Sequence, residues 1–98
     1  MKIDEFKAWL RAKEIYKNEK LVKDCVSRAN RVERAFQAIN SSFSFESEYE
    51  KDIGVSFQKL ISRRGVDIKD PVDLPIGTNQ MDSIVSAAKK YFVFLADK

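Results

Sequence analysis

The side chains best suited to chemistry in this sequence are cations. Lys17, Lys20, Lys23, Arg28, Arg31 and Arg34 fall in and just before the stretch from Asn18 to Asn40, which contains no Gly and no Pro. At about 100° per residue they project away from Val22, Cys25, Val26, Ala29, Val32, Phe36 and Ile39, whose three- and four-residue steps mark one apolar helix face. Only Asp24 interrupts the basic arc, with Glu19 and Glu33 on its flanks. One face thus has a reason to be buried and the other a reason to meet an anion. Phosphate contacts would position such a helix without reading sequence. A bidentate Arg on guanine would add readout, and Arg28 and Arg31 are the candidates by charge and placement.

Other chemistries are missing their parts. The chain has no His, which removes the usual general base, the His-based triads and most catalytic zinc sites. Cys25 is the single cysteine, so it forms no intrachain disulfide and no Cys-rich metal site; its place on the apolar stripe makes it a small core residue. No phosphate-binding Gly-rich loop or dinucleotide fingerprint occurs. Glu46, Glu48, Glu50 and Asp52 alternate, but they lack the Gly and terminal Glu of a calcium-binding loop and read as a solvated acidic face. No metal, no cofactor and no catalytic residue are expected.

Ninety-eight residues with 44% hydrophobic content suit one domain, 1–98, with one core. The net charge is +3, from 18 basic and 15 acidic side chains. The charge is uneven: residues 1–40 hold ten basic and six acidic side chains, and residues 41–75 hold five and seven. There is no signal peptide and no apolar run long enough to span a membrane. A reducing cytoplasm is the expected compartment.

Low breaker content favours helices: only two Pro and three Gly occur. The first helix is expected to start near Ile3 or Asp4, with Asp4 as cap and Phe6, Trp9 and Leu10 on its apolar side. Asn18 is expected to cap the second helix, which should run to about Ile39. Phe43 and Phe45 read as plugs that pin the following connection to the core. Ser47 is expected to cap a short acidic helix through Ile53, broken at Gly54. A further helix runs from Val55 to Arg63, with Gly65 as its C-terminal cap. Arg63 and Arg64 either meet that helix's last carbonyls or contact phosphate. Val66–Gly77 reads as an extended, irregular segment over the core, since Pro71 and Pro75 cannot donate to a ladder. Thr78 or Asn79 caps the last helix, whose apolar face is Met81, Ile84, Val85, Ala88, Phe92 and Leu95. Val93 and Phe94 fall off that face, and Phe94 marks either packing on the acidic middle segment or a docking surface.

The order of residues resembles a known family. Phe6-Lys7-Ala8-Trp9-Leu10, a short break, and then Asn18-Glu19-Lys20-Leu21-Val22-Lys23-Asp24-Cys25-Val26-Ser27-Arg28 is similar to the start of the N-terminal core-binding (SAM-like) domain of tyrosine recombinases, the phage integrase family. Thr78-Asn79-Gln80-Met81 through Phe92-Val93-Phe94-Leu95 is similar to that domain's last helix. The stretch Phe43–Gly77 matches poorly. The family's catalytic domain is missing, and Tyr16, Tyr49 and Tyr91 take no nucleophile role. The resemblance implies an all-α, compact bundle of four or five helices that clamps double-stranded DNA.

Two functions follow as expectations. The first is DNA binding through Lys20, Lys23, Arg28, Arg31 and Arg34, with Lys89 and Lys90 adding to that face. The alternative is a protein-interaction or adaptor module, or a homodimer, that uses Phe94 and Val93 or the aromatic pair Phe43 and Phe45.

Overall fold

A computed structural model describes residues 1–97. Five α-helices follow one another: α1 (Ile3–Ala12), α2 (Glu19–Gln37), α3 (Phe45–Asp52), α4 (Val55–Ile61) and α5 (Gln80–Ala96), with a single 3₁₀ turn at Arg63–Gly65. No strand occurs among the described residues. The chain is an all-α bundle with an irregular segment before its last helix, as the pattern predicts. Its 12.8 Å radius of gyration matches the value of about 12.6 Å for a compact chain of this length.

α2 and α5 are the longest helices and pack most extensively on each other. They run antiparallel. Arg28 and Arg31 of α2 meet Gln80 and Ser83 at the start of α5, whereas Tyr16, just before α2, lies under Lys90 near the end of α5. Asn18 starts α2 as expected: its side chain accepts the Leu21 N–H at 3.0 Å, satisfying an amide that the first turn leaves free. Val22, Cys25, Val26, Ala29, Val32 and Phe36 are all buried, and so are all six expected apolar residues of α5.

Six aromatic rings tie α3 and α4 to this pair. Phe36 stacks on Phe43 at 5.2 Å and meets Phe57 edge-on at 5.1 Å. Phe45 sits between Phe57 and Phe92, and Tyr91 lies 5.2 Å from Phe45. Phe43 and Phe45 therefore anchor the α2–α3 connection, and neither is free for a partner. Between Val66 and Gly77 the backbone bonds Val72 N–H to Asp70, Leu74 N–H to Val72 and Ile76 N–H to Leu74 are each two residues long. These are γ-turns. They turn Val72, Leu74 and Ile76 onto the core and leave Pro71 and Asp73 exposed.

Several expectations are corrected. Asp4 does not cap α1: Lys2 holds that position without a side-chain bond, and Asp4 and Glu5 instead face the positive end of the helix dipole. α2 ends at Gln37, so Ile39 leaves the stripe and is 42% exposed; Phe43 takes the place beside Phe36. Ser44, not Ser47, caps α3, and Ser47 closes a reciprocal box by accepting the Ser44 N–H at 3.3 Å. α4 stops at Ile61 rather than Arg63, because Ser62 is already extended and Arg63 and Arg64 then adopt left-handed conformations ahead of Gly65. Arg63 and Arg64 reach carboxylates rather than helix carbonyls: Arg63 pairs with Asp67 at 3.3 Å, and Arg64 grips Asp82 of α5 with two bonds at 3.2 and 3.1 Å. Asn79 precedes α5 without a side-chain cap, and Thr78 donates to the Pro75 carbonyl. Tyr91, next to the expected α5 face, is also fully buried. Phe94 packs against Phe6, Trp9 and Tyr91 at 5.5, 5.8 and 5.3 Å, so it covers α1 and not the acidic segment.

Glu33 is the largest departure. Only 3% exposed, it points away from the basic arc. One oxygen accepts the Phe45 N–H at 3.0 Å, and the other meets the Met1 amino group at 3.1 Å. Glu46 joins at 3.4 Å and also accepts the Tyr91 hydroxyl. A buried carboxylate is tolerated only with such partners.

Candidate nucleic-acid interface

The basic arc survives folding as a continuous exposed face on α2. Lys20, Lys23, Arg28, Arg31 and Arg34 are all exposed. At about 1.5 Å of rise per residue they cover about 21 Å of helix axis. Their partners decide how much charge is available. Lys20 meets Asp24 at 3.1 Å, the i,i+4 pairing expected on a helix surface. Lys23, Arg28, Arg31 and Arg34 have no carboxylate within 4 Å among the described residues.

The three carboxylates of α2 are all engaged. Arg11 binds Glu19 through two bonds, and that pair closes the α1–α2 turn. Because of it, the Glu19 carboxyl is held below the usual range and the Arg11 guanidinium is raised further. Asp24 is on Lys20, and Glu33 faces the interior. Among the described residues the remaining four cations of α2 form no ion pair, although Lys23 stands close enough to Glu19 to help lower it.

Two shallow hollows flank this row. Toward α5, about 210 Å³ is lined by Arg28, Arg31, Gln80 and Ser83. On the side of the irregular segment, about 420 Å³ is lined by Ser27, Asn30, Arg31, Arg34, Ala35, Ala38 and Asp73. Arg31 borders both. The small side chains of Ala35 and Ala38 leave the second hollow open. Asn30 and Asp73 belong to it and were not singled out from the sequence.

α5 contributes unequally. Lys90 donates to Ser86 at 2.9 Å and lies 5.6 Å above the Tyr16 ring, a cation–π distance. Burial and the neighbouring Cys25 push the Tyr16 hydroxyl up to about 12, and burial raises the Cys25 thiol. Both groups are thus protonated and uncharged at neutral pH beside Lys90 and Arg28. Lys89 is half-buried. Successive helix residues diverge by about 100°, so Lys89 and Lys90 face different neighbours and do not act as a single patch.

Val93 is 57% exposed on α5. Phe94 is half-buried in the Phe6–Trp9 cluster, so the pair does not form an exposed aromatic surface. Among the described residues no group of three or more His, Cys, Asp or Glu is placed to hold a metal ion. No helix among them is long and apolar enough to cross a membrane. No family model, no curated protein and no solved structure matches the chain.

Proposed function

We propose that this chain is a DNA-binding helical domain without catalytic residues of its own, which holds the phosphate backbone of a duplex on the basic face of α2. One observation carries the reading: every carboxylate of α2 is engaged, and Lys23, Arg28, Arg31 and Arg34 are left uncompensated on one exposed face. Guanidinium and ammonium groups arrayed in this way suit phosphate oxygens. Lys20 joins them when Asp24 releases it, and Lys90 extends the face across Arg28. The integrase-like resemblance agrees with this use and suggests a DNA-clamping role in recombination, in the cytoplasm.

The test is fluorescence anisotropy of a labelled duplex across a salt series, with the mass in solution followed by light scattering. Four neutralised phosphates give a slope of log affinity against log salt of about −3.6. From 50 to 200 mM salt the affinity then falls by about 150-fold. An absence of binding at low salt, together with a dimeric mass, would overturn the DNA reading. It would favour the adaptor alternative, for which Val93 at 57% exposure is the starting point.

A further inference from the structure

We infer that the hollow between the second half of α2 and the irregular segment reads base edges, and that Asn30 and Asp73 set the sequence preference of the domain. This rests on the DNA reading above and assigns roles within it.

The hollow differs in chemistry from the rest of the basic face. Ser27, Asn30, Arg31 and Arg34 occupy steps of three, four and seven on α2 and line one side of it. Asp73 stands on the opposite wall, with no Lys or Arg within 4 Å among the described residues. A carboxylate repels a phosphate and so weakens a seat built for phosphate alone. A base pair in the major groove presents both signs. Guanine O6 and N7 accept from Arg, adenine N7 and N6 match Asn, and the cytosine N4 amino group donates to a carboxylate. A hollow holding Arg, Asn and Asp together offers a partner for each of these edges.

Asp73 is also held in place, as selective contacts require. It is the central residue of the γ-turn in which the Leu74 N–H bonds the Val72 carbonyl at 3.0 Å. Val72 and Leu74 pack on the core on either side of it. Contacts on α2 therefore divide. Lys23, Arg28, Arg31 and Arg34 keep the phosphate backbone, while Asn30 and Asp73 face bases from the hollow that Arg31 and Arg34 border.

The experiment is selection from a duplex library with a randomised core, sequenced after binding to the full chain. It is run beside salt-series anisotropy for the wild type, Asn30→Ala, Asp73→Asn and Arg28→Gln, each first shown to melt cooperatively. The wild type should enrich defined bases. Asn30→Ala and Asp73→Asn should each lose discrimination by about tenfold or more at one position, with the salt slope unchanged. Arg28→Gln should flatten the slope by about 0.9 and keep the preference. Uniformly tighter binding of Asp73→Asn to every sequence would overturn the inference, since Asp73 would then only repel phosphate. Salt-dependent binding with no enrichment would overturn it and leave the DNA reading standing. No binding at low salt would remove both.

Discussion

Gly54 is the position where a single methyl group should do the most damage. It joins α3 to α4 at φ +76°, and an added Cβ would overlap Cδ1 and Cε1 of the Phe92 ring and lie 3.1 Å from Cζ. Phe92 is 2% exposed and touches Phe45 and Phe57, so the ring has nowhere to move. Two costs follow for Gly54→Ala. The left-handed backbone costs about 1–2 kcal/mol in an L-residue, offset by about 0.5–1 kcal/mol from the stiffer unfolded chain. Overpacking adds about 1–3 kcal/mol. The net loss is about 1–4 kcal/mol, or a fall in Tm of about 5–30 °C for a domain of this size. Urea unfolding followed by circular dichroism measures it. In a Phe92→Leu background the steric part should vanish, and Gly54→Ala should cost about 1 kcal/mol or less. An equal cost in both backgrounds would refute the contact with Phe92, and a neutral Gly54→Ala would refute the backbone geometry as well.

Four further outcomes are expected. Arg28→Glu combined with Arg31→Glu should abolish duplex binding in anisotropy with a melt close to wild type, because both side chains are exposed and unpaired; unchanged affinity would remove α2 as the binding face. Val32→Asp or Phe36→Asp should leave the chain unfolded by circular dichroism, since these sites are 0% and 6% exposed and an unpaired carboxylate there is not tolerated. Ile53→Asn should raise stability in urea by about 1 kcal/mol, because Ile53 is a β-branched residue at φ +63° with 60% of its surface in water; a loss would mean its side chain packs more than its exposure indicates. The last concerns acid. The Trp9 indole N–H and then Lys13 hold the Asp97 carboxyl below its ordinary range. Its folded value is depressed, so its contribution is present above about pH 3.9 and is lost as pH falls through the folded value. Trp9 emission should therefore shift below that pH in the wild type and stay flat in Asp97→Asn.

Much of the fold was legible because it rests on local periodicity. α2 and α5 carry long apolar stripes without a breaker, and Asn18 sits where a cap is needed. What was missed depends on residues far apart in the chain. Nothing near Glu33 announces that Met1 and Phe45 will supply its partners, so by spacing alone it looked like one more flank of a charged face. The α3 start was misplaced because Ser44 and Ser47 both suit a cap. The burial of Phe45 decides between them, and only the packing reveals it. Ile39 continues the apolar period in sequence alone, because the chain turns after Gln37 to insert Phe43 beside Phe36. At the candidate interface the basic row and the Lys20–Asp24 step could be read from one helix. The hollow could not, because its far wall is Asp73. An extended segment over the core can be read from Val66–Gly77, but not which side of α2 it covers.

α1 is fastened to α5 at both ends: the Lys2 N–H donates to the Tyr91 hydroxyl at 2.8 Å, and Trp9 donates to Asp97 at 2.6 Å. These bonds join residues 89 and 88 positions apart. Closing a loop of that length costs about 4 kcal/mol of chain entropy, and that cost is met when α2 and α5 pair, after which only the short turn between Ala12 and Glu19 separates α1 from its seat. α1 is expected to dock on the paired α2 and α5 and to open before they part. Its amides should exchange with solvent through a partial unfolding that also frees the final turn of α5, while the centre of α2 exchanges only when the whole bundle comes apart. The α2 face can thus stay assembled while the first helix breathes.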